Sequence, residues 1–530
     1  MSNMNDQFTV KIERDAQGTL IITGQQGQVQ VISAYNRTAI ETVPYDTTHL
    51  TINPYHGLAA FQEFEANRFF GREQLTLKLW EKLAAFYQPT QQAKLSLRFL
   101  PLLAPSGMGK SSLLRAGLIP ELARRGLPIA PKLRVAVLTP GVYPLQNLSF
   151  MLARLATQDI TPFAKARIYI KELSERDGLR HIAAELSEIE NSPVMLVIDQ
   201  FEELYTLCKE SFERTLFIDN LLLAAADKSL NISVITAMRS EFLTDAQTHP
   251  TLYQILAKQA YIVPFMNVAE LRDSIIKPAQ LAGIPWEMKT VQQLIEQTKG
   301  QKYALPLLQL TLTYLWDMRQ HGNNETQLLE SIDSLANVLE LIAQRLYNNL
   351  ADSERKLAQY IFLKLIKLND NLCQSHCSCK IADLTSQADD KVKEILRYYA
   401  NHDSHLITLS QTSQLTATIT HEVLFHHWST LKQWLLEYRE EQLLKQHLSH
   451  AAHTWESLRR PTRLLWHSSD LARVEPLYDK SREEFTELQL IFFHTSKRRQ
   501  RYLRYRNRLF AILCIGIGIL GLILSITQFR

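Results

Sequence analysis

Short apolar runs alternate with longer amphipathic stretches over much of this chain. Leu97 to Leu103, Leu133 to Leu138, Val194 to Ile198 and Ile232 to Ala237 are nearly unbroken apolar runs, and helical spacing fills the intervals between them. Strands that lack polar alternation are covered on both faces, so the pattern predicts an α/β fold with a parallel sheet. From about residue 265 to 350 the signal is helical. Residues 350–435 give two helices, a third near Val392 to Ala400, two short strands (Leu406 to Ser410 and Thr416 to Thr420) that read as a hairpin, and another helix. Helices followed by a β wing describe a winged-helix domain. Ahead of all this, Phe8, Val10, Ile12, Leu20 to Ile22, Val29 and Val31 alternate around Gly18, Gly24 and Gly27, as in a small β meander. Thr47 to Ile52 reads as a linker.

The expected organisation is therefore a β-rich segment over 1–46, an α/β domain over 53–264, a helical domain over 265–350, a winged helix over 351–435 and a helical region over 436–496. At 530 residues, several domains are expected. Composition is ordinary for globular protein, with 46% hydrophobic and 21% charged residues, which excludes a disordered or collagen-like chain.

Charge is uneven. Lys497 to Arg508 holds seven cations and no acid, and Arg530 is an eighth; setting these aside leaves 50 of the 58 cations against 54 acids. The body is mildly acidic, so a broad nucleic-acid-binding surface is not expected. The basic segment 497–508 is followed by Leu509 to Ile526, an uncharged run of 18 residues. As a helix it would reach about 27 Å. A transmembrane helix over 509–527 is the expectation, with the basic juxtamembrane flank holding the body in the cytoplasm as a single-pass membrane protein. The start of the chain lacks the pattern of a secretory signal.

Five cysteines suit a reducing compartment. Cys373, His376, Cys377 and Cys379 crowd together, but no second ligand cluster follows at zinc-site spacing, and no metal is assigned to them.

The chemistry concentrates in Ala104-Pro105-Ser106-Gly107-Met108-Gly109-Lys110-Ser111-Ser112, which follows an apolar strand and opens a helix. This is the setting that a phosphate-binding loop requires. Glycines let successive N–H groups turn toward phosphate oxygens, and the helix N-terminus adds positive potential. Lys110 is the candidate for the β- and γ-phosphates and Ser111 for Mg²⁺. Ala104 stands where the first glycine of the pattern belongs. The run Val194 to Ile198 delivers Asp199, the second candidate for Mg²⁺. Glu202 or Glu203 is the candidate to orient or deprotonate an attacking water, although an acidic pair after a strand also suits a plain helix N-terminus. Arg239, after the run 232–237, is placed to read a γ-phosphate.

Taken together, these residues resemble the STAND class of signal-transduction NTPases, in its bacterial novel STAND branch. The resemblance covers roughly residues 53–510. Asn53 to Leu58 with Phe61, then Phe69 to Glu73, look like the family's opening segment. Ala104 to Gly117 is similar to its Walker A motif, Val197 to Leu204 to its Walker B motif, and Met238 to Leu243 to its sensor segment. Ala304 to Leu308 resembles the lid motif, which implies that Pro306 packs on adenine. Thr420-His421-Glu422 resembles the winged-helix motif, which implies that His421 contacts the β-phosphate of ADP. The resemblance implies an ATP/ADP switch with Mg²⁺: ADP-bound at rest, assembling into a homo-oligomer with ATP, and answering to an unidentified protein stimulus or effector. The WD40 repeats frequent in such proteins do not follow. A scaffold that binds nucleotide with negligible hydrolysis and recruits partners is the alternative.

Overall fold

The computed structural model describes residues 10–14, 19–33, 53–88, 97–157, 162–301, 303–322, 329, 332, 334–368, 374–376, 379–384, 389–401, 406–411, 415–482 and 485–528. Phe8, Gly18, the expected linker 47–52, Cys373 and Cys377 lie outside them. The chain divides into two compact units, residues 1–432 and 433–530.

The first unit is built on an eight-stranded sheet. Its strands are β1 (Lys11–Arg14), β2 (Leu20–Thr23), β3 (Gln28–Ser33), β4 (Phe99–Ala104), β5 (Lys132–Leu138), β6 (Val194–Ile198), β7 (Ile232–Arg239) and β8 (Tyr261–Ile262). They lie in the order β1-β2-β3-β5-β6-β7-β4-β8. The first three are antiparallel; every pairing from β3 to β8 is parallel. The alternation read as a small meander thus forms one edge of the central sheet. Burial explains the join: Val29 and Val31 share a core with Leu133 and Val135 of the neighbouring strand. The turn between β2 and β3 packs so tightly on the helix Ile119–Arg125 that a Cβ on Gly24 would sit 2.4 Å from the Ala123 carbonyl oxygen.

A proline occupies the centre of β4, and the register accounts for it. The Val234 N–H of β7 donates to the Arg98 carbonyl, whereas the Val263 N–H on the β8 side donates to the Leu103 carbonyl. Alternate residues of a strand bond to opposite neighbours. Pro101 therefore faces the β8 side, where pairing begins at Leu102, so the missing N–H falls where no strand needs it.

Two cores cover the sheet. One joins Leu148, Leu152, Ile182, Phe217 and Leu221 to side chains of β5, β6 and β7. The other joins Leu75, Leu79, Leu83, Leu113 and Leu122 to β2 to β7. Next come the helices Val268–Leu281, Met288–Thr298, Ala304–Gln320 and Leu335–Asn348. An Asn267–Glu270 capping box starts the first of them: the Glu270 N–H donates to Asn267 Oδ1 at 2.9 Å and the Asn267 N–H to Glu270 Oε2 at 2.8 Å. Beyond them the unit holds the helices Asp352–Lys364 and Asp389–Asn401 and the hairpin Ile407–Gln411 with Leu415–Ile419, to which the short strand Cys379–Lys380 adds.

The second unit has its own core, with Leu448, Trp455, Trp466, Val474, Phe492 and Phe493 at its centre. Its last helix, Glu487–Gln528, runs unbroken through the basic stretch into the apolar one. The expected membrane span needs correction. Among the described residues no helix is long and apolar enough to cross a membrane. The apolar stretch continues the helix that carries the seven cations, and the described part of that helix holds no window apolar enough for a span. A single-pass membrane protein with a cytoplasmic body, anchored through Leu509–Ile526, is accordingly not supported.

Candidate functional site

The strand order decides what meets at the sheet's C-terminal edge. β7 lies between β4 and β6, and Ala104 is the register partner of Arg239. The loop after β4, the end of β7 and the carboxylates after β6 therefore stand side by side where open α/β sheets place their ligands.

Ala104 is the last residue of β4 and fully buried. An extended strand residue has no need of glycine, which explains the departure from the loop pattern. Gly107 and Gly109 adopt φ of +80° and +78°, a region that L side chains rarely enter. The helix that follows starts at Lys110 and passes at Leu113–Leu118 into a wider, π-type turn before continuing as Ile119–Arg125. Lys110 Nζ donates to the carbonyls of Ala104 (2.8 Å) and Pro105 (3.0 Å), which holds the ammonium against the loop. Burial lowers its pKa, opposed by the nearby Glu202 carboxylate.

Ser111 Oγ donates to Asp199 Oδ1 at 2.9 Å. These are two hard oxygen donors from the two candidate positions, a set that suits Mg²⁺. Asp199 also accepts from the Gln200 N–H at 3.0 Å, with Gln200 itself at φ +51°. Ser112 Oγ accepts from the Phe61 N–H at 3.1 Å.

Glu202 and Glu203 separate. The Glu202 carboxylate takes Arg239 Nε on one oxygen at 2.9 Å and the Arg239 N–H on the other at 3.2 Å. Arg239 extends further, with Nη1 2.5 Å from Glu422 Oε2. Burial alone would lower the pKa of this guanidinium, but Glu422 and Glu202 together raise it. Of the two alternative carboxylates, Glu203 does not line the cavity: it accepts from the Gly141 N–H at 2.8 Å. Burial pushes its carboxyl up to about 8, with the charges of Glu202 and Asp199 adding to the rise.

The helical segment closes over the loop. A Cβ on Gly107 would lie 2.9 Å from Tyr303 Cα and 3.5 Å from Pro306 Cδ, so the start of Ala304–Gln320 rests directly on the phosphate-loop backbone. Tyr303 holds φ +58°, stacks on His426 (centroids 5.3 Å apart) and meets the edge of His421 at 5.7 Å. His421 Nδ1 accepts from the Val423 N–H at 3.1 Å, which puts the proton of the neutral ring on Nε2.

Most of the expected residues line one cavity of about 190 Å³: Ser106 to Ser112, Asp199, Glu202, Arg239, Pro306 and His421, with Phe61, Phe69, Leu305 and Gln309. Among the expected residues, Ala104, Pro105 and Glu203 do not line it. The sequence reading missed Tyr303, Glu422 and Arg115. A charged residue inside the run Leu113-Leu114-Arg115-Ala116-Gly117-Leu118 was the available signal for Arg115. Glu422 gave none beyond its place next to His421.

The segment 53–72 straps these parts together. Asn53 Nδ2 donates to Asp317 Oδ1 (2.9 Å), the Gly57 N–H to Thr313 Oγ1 (3.0 Å), and Arg72 to the Pro264 carbonyl (2.9 Å).

Comparison with solved structures finds the ORC2 protein of Aeropyrum pernix in its ADPNP–ADP complexes, 13% identical, covering 68% of this chain and 94% of that one with a TM-score of 0.37. The ORC1 protein of the same organism in complex with DNA is 12% identical, covering 70% and 94%, with a TM-score of 0.38. CDC6P from Pyrobaculum aerophilum is 13% identical, covering 69% and 94%, with a TM-score of 0.32. Likeness at this level carries no functional conclusion. No curated protein matches. The family model described as novel STAND NTPase 1 matches residues 54–463, most of the chain and every part that lines the cavity. On that match, the chain belongs to the novel STAND NTPase 1 family.

Proposed function

We propose that this chain is an ATP/ADP switch that works with Mg²⁺ and hydrolyses ATP slowly. The observation that carries the reading is convergence: the phosphate loop, Asp199, Arg239, Pro306 and His421 come from five separate stretches of sequence and line the same cavity. The loop N–H groups and Lys110 would hold the phosphates, Ser111 and Asp199 the Mg²⁺, Pro306 with the apolar wall the base, and His421 Nε2 the β-phosphate. Mg²⁺, when bound, would draw charge from the phosphate oxygens.

The residues 351–435 are read as a winged helix clasping the site through His421 and Glu422. A diphosphate is compatible with Arg239 staying on Glu422. A third phosphate would compete with Glu422 for the same guanidinium and so favour an opened state. Differential affinity of this kind is what a two-state switch needs. Opening would expose surface for assembly into a homo-oligomer, under the control of a protein stimulus or effector.

One observation favours the second reading, a nucleotide-dependent scaffold. Both oxygens of Glu202 are engaged by Arg239, so in this conformation the carboxylate is not disposed to activate water. The deciding experiment identifies the nucleotide that copurifies with the full chain and measures phosphate release before and after Glu202→Gln. Copurified ADP with turnover lost in the variant supports the switch. Turnover unchanged by Glu202→Gln rejects the hydrolytic assignment, and a chain that takes up no purine nucleotide with Mg²⁺ rejects both readings.

A further inference from the structure

Arg115 sits beneath the metal-site pair and serves two carboxylates at once. It is 2% exposed, and the acids beside it, Glu63 and Asp199, are 4% and 3% exposed. Its Nη1 lies 3.2 Å from Glu63 Oε1, 3.1 Å from Gln62 Oε1 and 3.3 Å from Ser33 Oγ, while Nε lies 3.8 Å from Asp199 Oδ2. The wide turn Leu113–Leu118 delivers this side chain to the core side of the phosphate-loop helix. Glu63 belongs to the strap 53–72, whose other contacts reach Pro264, ahead of the helix Val268–Leu281, and Thr313 and Asp317 of the helix Ala304–Gln320.

One buried cation thus faces two buried anions that belong to different parts of the machine. We propose that Arg115 is a positioning residue that couples divalent-cation occupancy at Ser111 and Asp199 to the strap through Glu63. The inference rests on the reading of that pair as the Mg²⁺ site. A divalent cation at Asp199 neutralises the charge that draws Nε, and the guanidinium then settles on Glu63 and steadies the strap against the loop helix. Coupling free energy is reciprocal. Loss of the Glu63 charge therefore leaves Asp199 as the stronger pull on Arg115, whose positive charge there opposes an incoming cation.

The test uses the full chain and a fluorescent ADP analogue, with nucleotide affinity measured in EDTA and then titrated with MgCl₂. Glu63→Gln is expected to raise the half-effect Mg²⁺ concentration about three- to tenfold, with affinity in EDTA held within about twofold. In an Arg115→Gln background the same substitution should shift it by less than about twofold. Arg115→Lys provides a second background that keeps a buried cation; a point charge cannot span both acids, so the coupling should again collapse. An unchanged Mg²⁺ response in Glu63→Gln, or a shift that persists in both Arg115 backgrounds as plain long-range charge, overturns the proposal. If the parent chain binds the analogue and responds to Mg²⁺ while Glu63→Gln is silent, this inference alone fails. If the parent binds no analogue at all, the nucleotide reading fails and takes the inference with it.

Discussion

Arg239 Nη1 lies 2.5 Å from Glu422 Oε2, an ion pair that ties the end of β7 to the residue just after the hairpin Ile407–Gln411 and Leu415–Ile419. Because the same guanidinium also holds Glu202, one side chain links the candidate hydrolytic carboxylate to the part of the fold that closes the cavity.

Glu422→Gln keeps the shape but removes the charge from this link. A charge-assisted hydrogen bond is worth about 1.5–3 kcal/mol, so dissociation of bound ADP should accelerate by on the order of tenfold or more. Stopped-flow release of a fluorescent ADP analogue checks this, and a rate equal to that of the parent would remove the pair from the switch.

Glu203 makes stability depend on pH. Its folded-state carboxyl is raised from 4.5 to about 8, chiefly by burial, so between those values the folded chain holds a proton that the unfolded chain has lost. Stability from this group is complete below the unfolded value and declines as pH rises toward the folded one, at no more than about 1.4 kcal/mol per pH unit. Glu203→Gln retains an acceptor for the Gly141 N–H and has no proton to lose. Denaturant midpoints measured from pH 5 to 8 should therefore fall less steeply in the variant than in the parent.

Gly107→Ala places a methyl group 2.9 Å from Tyr303 Cα in a backbone conformation of φ +80°. The conformational cost alone is about 1–2 kcal/mol, and the clash falls on backbone that cannot swing aside. Affinity for ADP should drop at least about tenfold, read by calorimetry, with the far-ultraviolet spectrum preserved. Undiminished affinity would mean that the helix start at Ala304 does not rest on the loop in the nucleotide-bound chain.

Asp199→Asn separates metal from phosphate. The amide keeps an oxygen for the Gln200 N–H but loses the charge that would favour Mg²⁺. Nucleotide binding in EDTA should change by less than about threefold while most of the gain on adding Mg²⁺ disappears. Lys110→Met should instead weaken binding under both conditions, since it removes the cation nearest the loop. Identical behaviour of the two variants would undo the division of roles between them.

Much of the sheet was legible because its signals are local. β6 matches its apolar run residue for residue, and β4, β5 and β7 lie within one or two positions of theirs, since a continuous apolar run of that length must be buried on both faces. The phosphate loop was equally local, its glycines fixed by backbone conformation and its lysine by adjacency. Periodicity reports that a residue is buried but not against what. So the union of β3 with β5, the two-residue β8 and the insertion of β7 between β4 and β6 emerged from packing alone. The apolar run after Leu509 was read as a span from its composition, and the described part of its helix does not supply one.

The site divides along the same line. Sequence determined which residue types were on hand: a nest of N–H groups, Lys110, Ser111, Asp199 and an acidic pair. Tertiary structure decided which of the two glutamates faces the cavity. Consecutive residues at the start of a short helix point in different directions, and here one meets Arg239 while the other meets Gly141. It also decided that Glu63 and Asp199 would share Arg115 and that Arg239 would reach Glu422. These partners are far apart along the chain, and nothing local encodes a contact that exists only once two separately folded surfaces are pressed together.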